Sequence, residues 1–186
     1  GVLSAIANAA YHAFLNPAVS LTYGRGGGSI TFESEKGQFD TRLRLDLRMW
    51  TGMIFRSPPG RILKKTLLAD RRNLVVRLDR TSPHPAYTGA GVIVLNPDRI
   101  ATARILTTGM TWLPLTMIRA LAHEFGHAIL AINAETGPAG VIHNVENPIV
   151  SGFFGEDSRY PGWAGGCDIA TINCMPEAEE DELMPW

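Results

Sequence analysis

The pentapeptide His123-Glu124-Phe125-Gly126-His127 puts two imidazoles four residues apart, with a carboxylate directly after the first. On an α-helix, positions i and i+4 lie on one face, so both rings can reach a single metal ion. Glu124 follows by one residue and can touch a water held by that ion. The H-E-x-x-H spacing therefore reads as a metal site with a general base beside it, on condition that it lies on a helix.

Its surroundings predict that helix. Trp112-Leu113-Pro114 closes a loop, and Thr116 is placed to cap. Apolar residues then recur at Ile118, Leu121, Phe125, Ile129 and Ile132, the three-and-four spacing of a core-facing stripe. No proline interrupts Met117 to Ala134, and Gly137-Pro138 is read as the stop. Gly126 costs the helix about 1 kcal/mol relative to alanine. A residue without a side chain there admits a second backbone close to the metal side.

A catalytic zinc ion takes three protein ligands and keeps a position open. Two candidates follow the pair: Glu146, 19 residues after His127, and His143, 16 residues after it. Three residues beyond His127 stands Leu130, so the glycine-and-third-histidine extension of metzincins is missing. The third ligand is expected from a separate helix, capped by Asn144 and running from Val145 to Gly152, with Pro148 in its first turn. Glu146 is favoured over His143 because that first turn can face back to the histidines.

Beyond the motif, the order of segments resembles a known family. It consists of the run Ile54-Phe55-Arg56-Ser57-Pro58-Pro59-Gly60-Arg61-Ile62-Leu63, the stretches Leu74 to Leu78 and Gly91 to Asn96, and then His123 to Ala128. Glu146-Asn147, Val150, Gly155 and Arg159-Tyr160 follow as a second block. Together they are similar to the effector-type zinc metallopeptidases of the NleD family, over roughly residues 40 to 162. Ser151 and Pro148 depart from that second block.

The resemblance implies a gluzincin-like site with His123, His127 and Glu146 on zinc, and Tyr160 near it. It also implies secretion, or delivery by a specialised system into a target cell, and a protein substrate there. A cognate immunity protein or chaperone is a possible partner. The expected reaction is peptide hydrolysis: Glu124 takes the proton of the attacking water and returns it to the leaving amine, with Tyr160 or His143 stabilising the oxyanion. The alternative is a catalytically inactive, zinc-stabilised module that binds protein. The general base Glu124 speaks against it, since structural zinc is closed by four ligands and needs none.

Composition sets wider bounds. The 186 residues, 45% hydrophobic, suffice for one buried core, and a single domain is expected. Residues 1–80 carry 13 Lys+Arg against 6 Asp+Glu, and residues 81–186 carry 4 against 12. The halves can attract each other, or the basic one can steer an acidic substrate. No recognition motif accompanies the charge, so nucleic acid is not an expected partner. The uncharged stretch 1–24 is read as a helix over 2–15, with no membrane span. Cys167 and Cys174 can pair or remain free thiols.

The expected architecture is α+β and zincin-like: a small mixed or antiparallel sheet packed on the motif helix, with further helices. Leu21 to Tyr23 and Ser29 to Phe32 form a hairpin within an N-terminal segment 1–38. Helices are expected over 39–54 and from Ser57 to Ala69, and strands over 73–79 and 91–95. Thr81 to Gly89 is read as a loop, Val92 to Asn96 as the strand at the sheet edge beside the cleft, and 163–186 as an irregular acidic tail.

Overall fold

The computed structural model describes residues 2–7, 18–23, 25–163 and 165–168. The expected helix over 2–15 is helical at 2–7, and the rest of that expectation lies outside the described residues. So do Cys174 and the acidic stretch Glu177 to Glu182.

The fold is α+β. Its main sheet has five strands: β1 (Val19–Thr22), β2 (Ser29–Ser34), β3 (Asn73–Leu78), β4 (Ala86–Gly89) and β5 (Val92–Leu95), in the order β1-β2-β3-β5-β4. The three central strands β2, β3 and β5 run parallel, and β1 and β4 close the two edges antiparallel. The hairpin falls where the sequence places it, with Leu21 opposite Ile30. Gly28, at φ 88°, takes a conformation that L side chains rarely adopt.

Two expectations about this sheet need correction. Val92-Ile93-Val94-Leu95 is not the edge. Ile93, Val94 and Leu95 are all buried, and a continuous apolar run covered on both faces belongs in the interior of a sheet. The edge is β4, inside the segment read as a loop. Its Ala86-Tyr87-Thr88-Gly89 alternates half-buried and exposed positions, as a one-sided edge strand does.

The helix expected over 39–54 is α1 (Thr41–Arg56), which buries Leu47, Thr51, Ile54 and Phe55. Leu45 lies on its exposed side. Helix α2 (Arg61–Asp70) follows, starting after Gly60. The short helix α3 (Pro97–Thr102) was not anticipated. Its cap is Asn96, whose side chain accepts from the Asp98 and Arg99 amides. A second sheet, order β7-β6-β8, consists of β6 (Ala103–Leu106), β7 (Trp112–Pro114) and β8 (Gly166–Asp168). The last of these lies within the segment expected to be irregular.

Helix α4 (Met117–Leu130) carries the motif and is capped by Thr116, whose hydroxyl accepts from the Arg119 amide. Leu121, Phe125 and Ile129 join a core with Ile30, Phe32, Val76 and Ile93 of the main sheet and Leu47 and Ile54 of α1. The Phe55 and Phe125 rings meet at 5.4 Å. Each such side chain contributes about 1.5–3 kcal/mol through burial, which holds the motif helix firmly against the sheet. Residues Ile142–Glu146 form one π-helical stretch that runs directly into α5 (Asn147–Val150). Among the described residues, no helix is long and apolar enough to cross a membrane.

Gly126 admits a close neighbour, but through valine side chains and not a backbone. A Cβ there would stand 2.3 Å from a methyl of Val141 and 3.2 Å from one of Val145, so the π-helical segment packs directly on the motif. Both valines are buried and stiff at χ1. Gly126→Ala therefore sets about 1 kcal/mol of helix propensity against an overpacking cost of about 1–3 kcal/mol. A net loss of up to about 2 kcal/mol is expected from denaturant midpoints, and a stabilised variant would contradict this packing.

Candidate metal centre

Helix α4 ends earlier than Gly137-Pro138 would suggest. Ala131 takes the left-handed conformation, φ 55°, and both it and Ile132 donate their amides to the Gly126 carbonyl. An alanine there costs about 1–2 kcal/mol. The turn has two consequences. It brings the Ile132 carbonyl to 2.5 Å from His127 Nδ1. It also sends residues 131–136 back along the helix, so that Glu135 faces the two histidines.

The three side chains converge. His123 Nε2 and His127 Nε2 are 3.1 Å apart. Glu135 Oε2 lies 3.0 Å from the first nitrogen, and Oε1 lies 3.2 Å from the second. The histidine side chains are 12% and 16% exposed and Glu135 is 46% exposed, so the cluster opens to solvent on the glutamate side. One ligand atom from each of the three falls within 4.8 Å of the others, a set that could hold a metal ion. The donor chemistry fits: each ring has its Nδ1 engaged by a protein oxygen, leaving both Nε2 atoms directed at one carboxylate.

The electrostatics agree with that grouping. Burial alone would lower the His123 pKa, but hydrogen bonds to Glu135 and Glu146 outweigh it and raise it to about 9. His127 is raised as well, chiefly by Glu135. The two imidazoles hold Glu135 far below the usual carboxylate range.

Glu124 lies one residue from His123 and is buried. The Thr88 hydroxyl, on edge strand β4, donates to Glu124 Oε2 at 2.5 Å. Burial raises the Glu124 pKa, and the Thr88 hydrogen bond and both histidines oppose that rise. The motif helix thus lies along the open edge of the main sheet, with its free carboxylate tied to that edge.

Glu146 is not placed as the sequence suggested. It is fully buried, with Oε2 2.7 Å from His123 Nδ1, on the far side of the ring from His127 and Glu135. Asn144 does not cap a helix: it lies inside the π-helical stretch and donates to the Pro138 and Gly140 carbonyls. His143 is exposed on that stretch. The Tyr160 ring lies over Gly162, and its amide donates to the Leu106 carbonyl. Its loop meets the Glu135 loop where the Gly137 amide donates to the Pro161 carbonyl at 3.0 Å. Among the described residues, the Tyr160 hydroxyl makes no hydrogen bond to the three donors.

Glu135 is the member that sequence reasoning missed. It sits in Asn133-Ala134-Glu135-Thr136-Gly137, where the predicted helix was still running or just ending. Only a glycine or asparagine at position 131 would have announced the turn, and the residue there is alanine.

No family model matches this chain, and neither a curated protein nor a solved structure matches it.

Proposed function

We propose that this chain is a zinc-dependent endopeptidase with a zincin-like arrangement, in which His123, His127 and Glu135 hold the ion and Glu124 is the general base. The observation that carries this reading is the pair of Nε2 atoms 3.1 Å apart facing one half-exposed carboxylate, with a buried glutamate on the next helical position. Two imidazoles and a carboxylate suit zinc among the common divalent ions.

When bound, the ion supplies Lewis-acid polarisation and a water of lowered pKa. The chain supplies the rest. Glu124 accepts the proton of the attacking water and passes it to the departing amine. Thr88 keeps the Glu124 carboxylate oriented during both transfers. Among the described residues no strand pairs with the outer side of β4, so an extended peptide can add to the sheet there, alongside the motif helix. Tyr160, on the loop joined to that of Glu135, is the proposed oxyanion donor, in preference to the exposed His143.

The resemblance to NleD-type effector peptidases supports a protein substrate inside a target cell, delivery by a specialised secretion system, and an accompanying immunity protein or chaperone. The test is direct. The purified chain should take up one equivalent of zinc. Added to a cell lysate, it should generate new protein N-termini that vanish with chelator and return with zinc. A chain that binds no divalent ion under these conditions is not a peptidase of this kind.

A further inference from the structure

Behind His123 lies a buried charged cluster that the hydrolysis scheme above does not use. Glu146 is 0% exposed, Arg119 1% and Arg159 9%. Arg119 precedes His123 by one helical turn, so the two share a face of α4. Its Nη1 donates to Glu146 Oε1 at 2.8 Å, and Arg159 Nη1 donates to Oε2 at 3.3 Å. That same Oε2 meets His123 Nδ1 at 2.7 Å.

The arginines are themselves fixed. Arg119 reaches the Glu156 carboxylate at 3.3 Å and the Asp157 carbonyl. Arg159 is clamped through its backbone by Asn147, whose side chain accepts from its amide and donates to its carbonyl, both at 2.8 Å. Helix α4 and the segment 156–159 thus set the orientation of one carboxylate between them.

We infer that Glu146 is a positioning residue and not a metal ligand: held by Arg119 and Arg159, it accepts the Nδ1 proton of His123 and thereby aims Nε2 of that ring at the site shared with His127 and Glu135. The nitrogens of an imidazole point away from each other, so a carboxylate on Nδ1 cannot also reach an ion on Nε2. Each Glu146 oxygen already carries a guanidinium, Arg119 on Oε1 and Arg159 on Oε2, so an ion there would have to compete with both arginines. A carboxylate behind a ligating histidine fixes the tautomer and raises ligand basicity. A π-helical turn at this point is consistent with a segment shaped by such a demand.

This inference rests on the proposed metal site, and its test separates the two. Cobalt(II) is titrated into the wild type, Glu146→Gln and Glu135→Gln, with affinity and visible spectrum recorded. Glu146→Gln should keep the wild-type band pattern and lose affinity about 10–100-fold, the usual cost of removing such a partner. Glu135→Gln should change the band pattern, because a ligand is lost. The inference is overturned if Glu146→Gln alters the spectrum while Glu135→Gln does not, or if Glu146→Gln matches the wild type in both readings.

Should Glu146→Gln fail to fold, nitrogen-15 histidine spectra of the wild type decide the matter. His123 should bind metal through Nε2 and keep a hydrogen-bonded proton on Nδ1, and metal on Nδ1 would overturn the inference. If the wild type takes up no metal, the endopeptidase reading fails by itself. A hydrogen-bonded Nδ1 proton on His123 in the metal-free protein then still supports the positioning role, and its absence overturns it.

Discussion

Glu124→Gln is expected to bind a divalent ion with wild-type stoichiometry and to hydrolyse a sensitive protein about 10²–10⁴-fold more slowly, the range that a positioned general base contributes. The two outcomes separate because the structure separates the residues. The three-donor cluster is His123, His127 and Glu135, and Glu124 is not among them. Glutamine keeps the size of the buried side chain and an oxygen that can accept from Thr88, so the helix and its packing have no reason to change. What it lacks is a basic oxygen. His127→Ala, by contrast, removes one of the three donors and should lose metal and activity together. The combination is read by metal analysis and by the rate of appearance of new termini. Wild-type hydrolysis by Glu124→Gln would remove Glu124 from the mechanism, and loss of metal would place it in the ligand shell.

How much of this could be read from sequence depended on how local each signal was. The motif helix was legible because its apolar spacing, its Thr116 cap and its paired histidines all lie within one stretch of chain. The α1 helix and the β1–β2 hairpin were legible for the same reason. The edge strand was not. Ala86 to Gly89 is only four residues long, with the strand-favouring Tyr87 and Thr88 flanked by alanine and glycine, and it pairs because β5 offers it a partner, whereas the strongly apolar β5 drew attention as the edge although its burial on both faces makes it interior.

The site divided along the same line. His123, Glu124 and His127 follow from helical periodicity. Glu135 depends on a left-handed alanine that composition does not announce. Glu146 was read as the third metal ligand, but it meets His123 at Nδ1, and that placement depends on where Arg119 and Arg159 stand, which is set by tertiary packing.

The same cluster of charges makes a second large effect measurable through pH. The His123 pKa lies at about 9 in the folded, metal-free protein, against 6.5 for an unperturbed histidine. A group whose folded pKa is raised contributes stability that is fully present below about pH 6.5 and is lost as pH rises through 9. The metal-free chain should therefore weaken across that window, by an amount on the order of 2–3 kcal/mol from His123 alone.

Metal binding has the opposite sign. The ion needs an unprotonated Nε2, so between pH 9 and pH 7 its affinity should fall about tenfold per unit, or about 100-fold in all, as His123 gains its proton. The raised pKa of His127 steepens that fall. Glu135 and Glu146 stay ionised throughout and add nothing to the slope, since the first is held far below the usual carboxylate range and the second at about 2.

Thermal unfolding with chelator and with zinc, from pH 6.5 to 9.5, reads both trends at once. The chelated protein should lose stability as pH rises while the increment from zinc grows. Calorimetry in buffers of different ionisation enthalpy should detect protons released on binding near pH 7. Parallel curves with no proton release would mean that the ion, if it binds, does not displace the protons shared by His123, His127 and Glu135, and the assigned centre would be the wrong one.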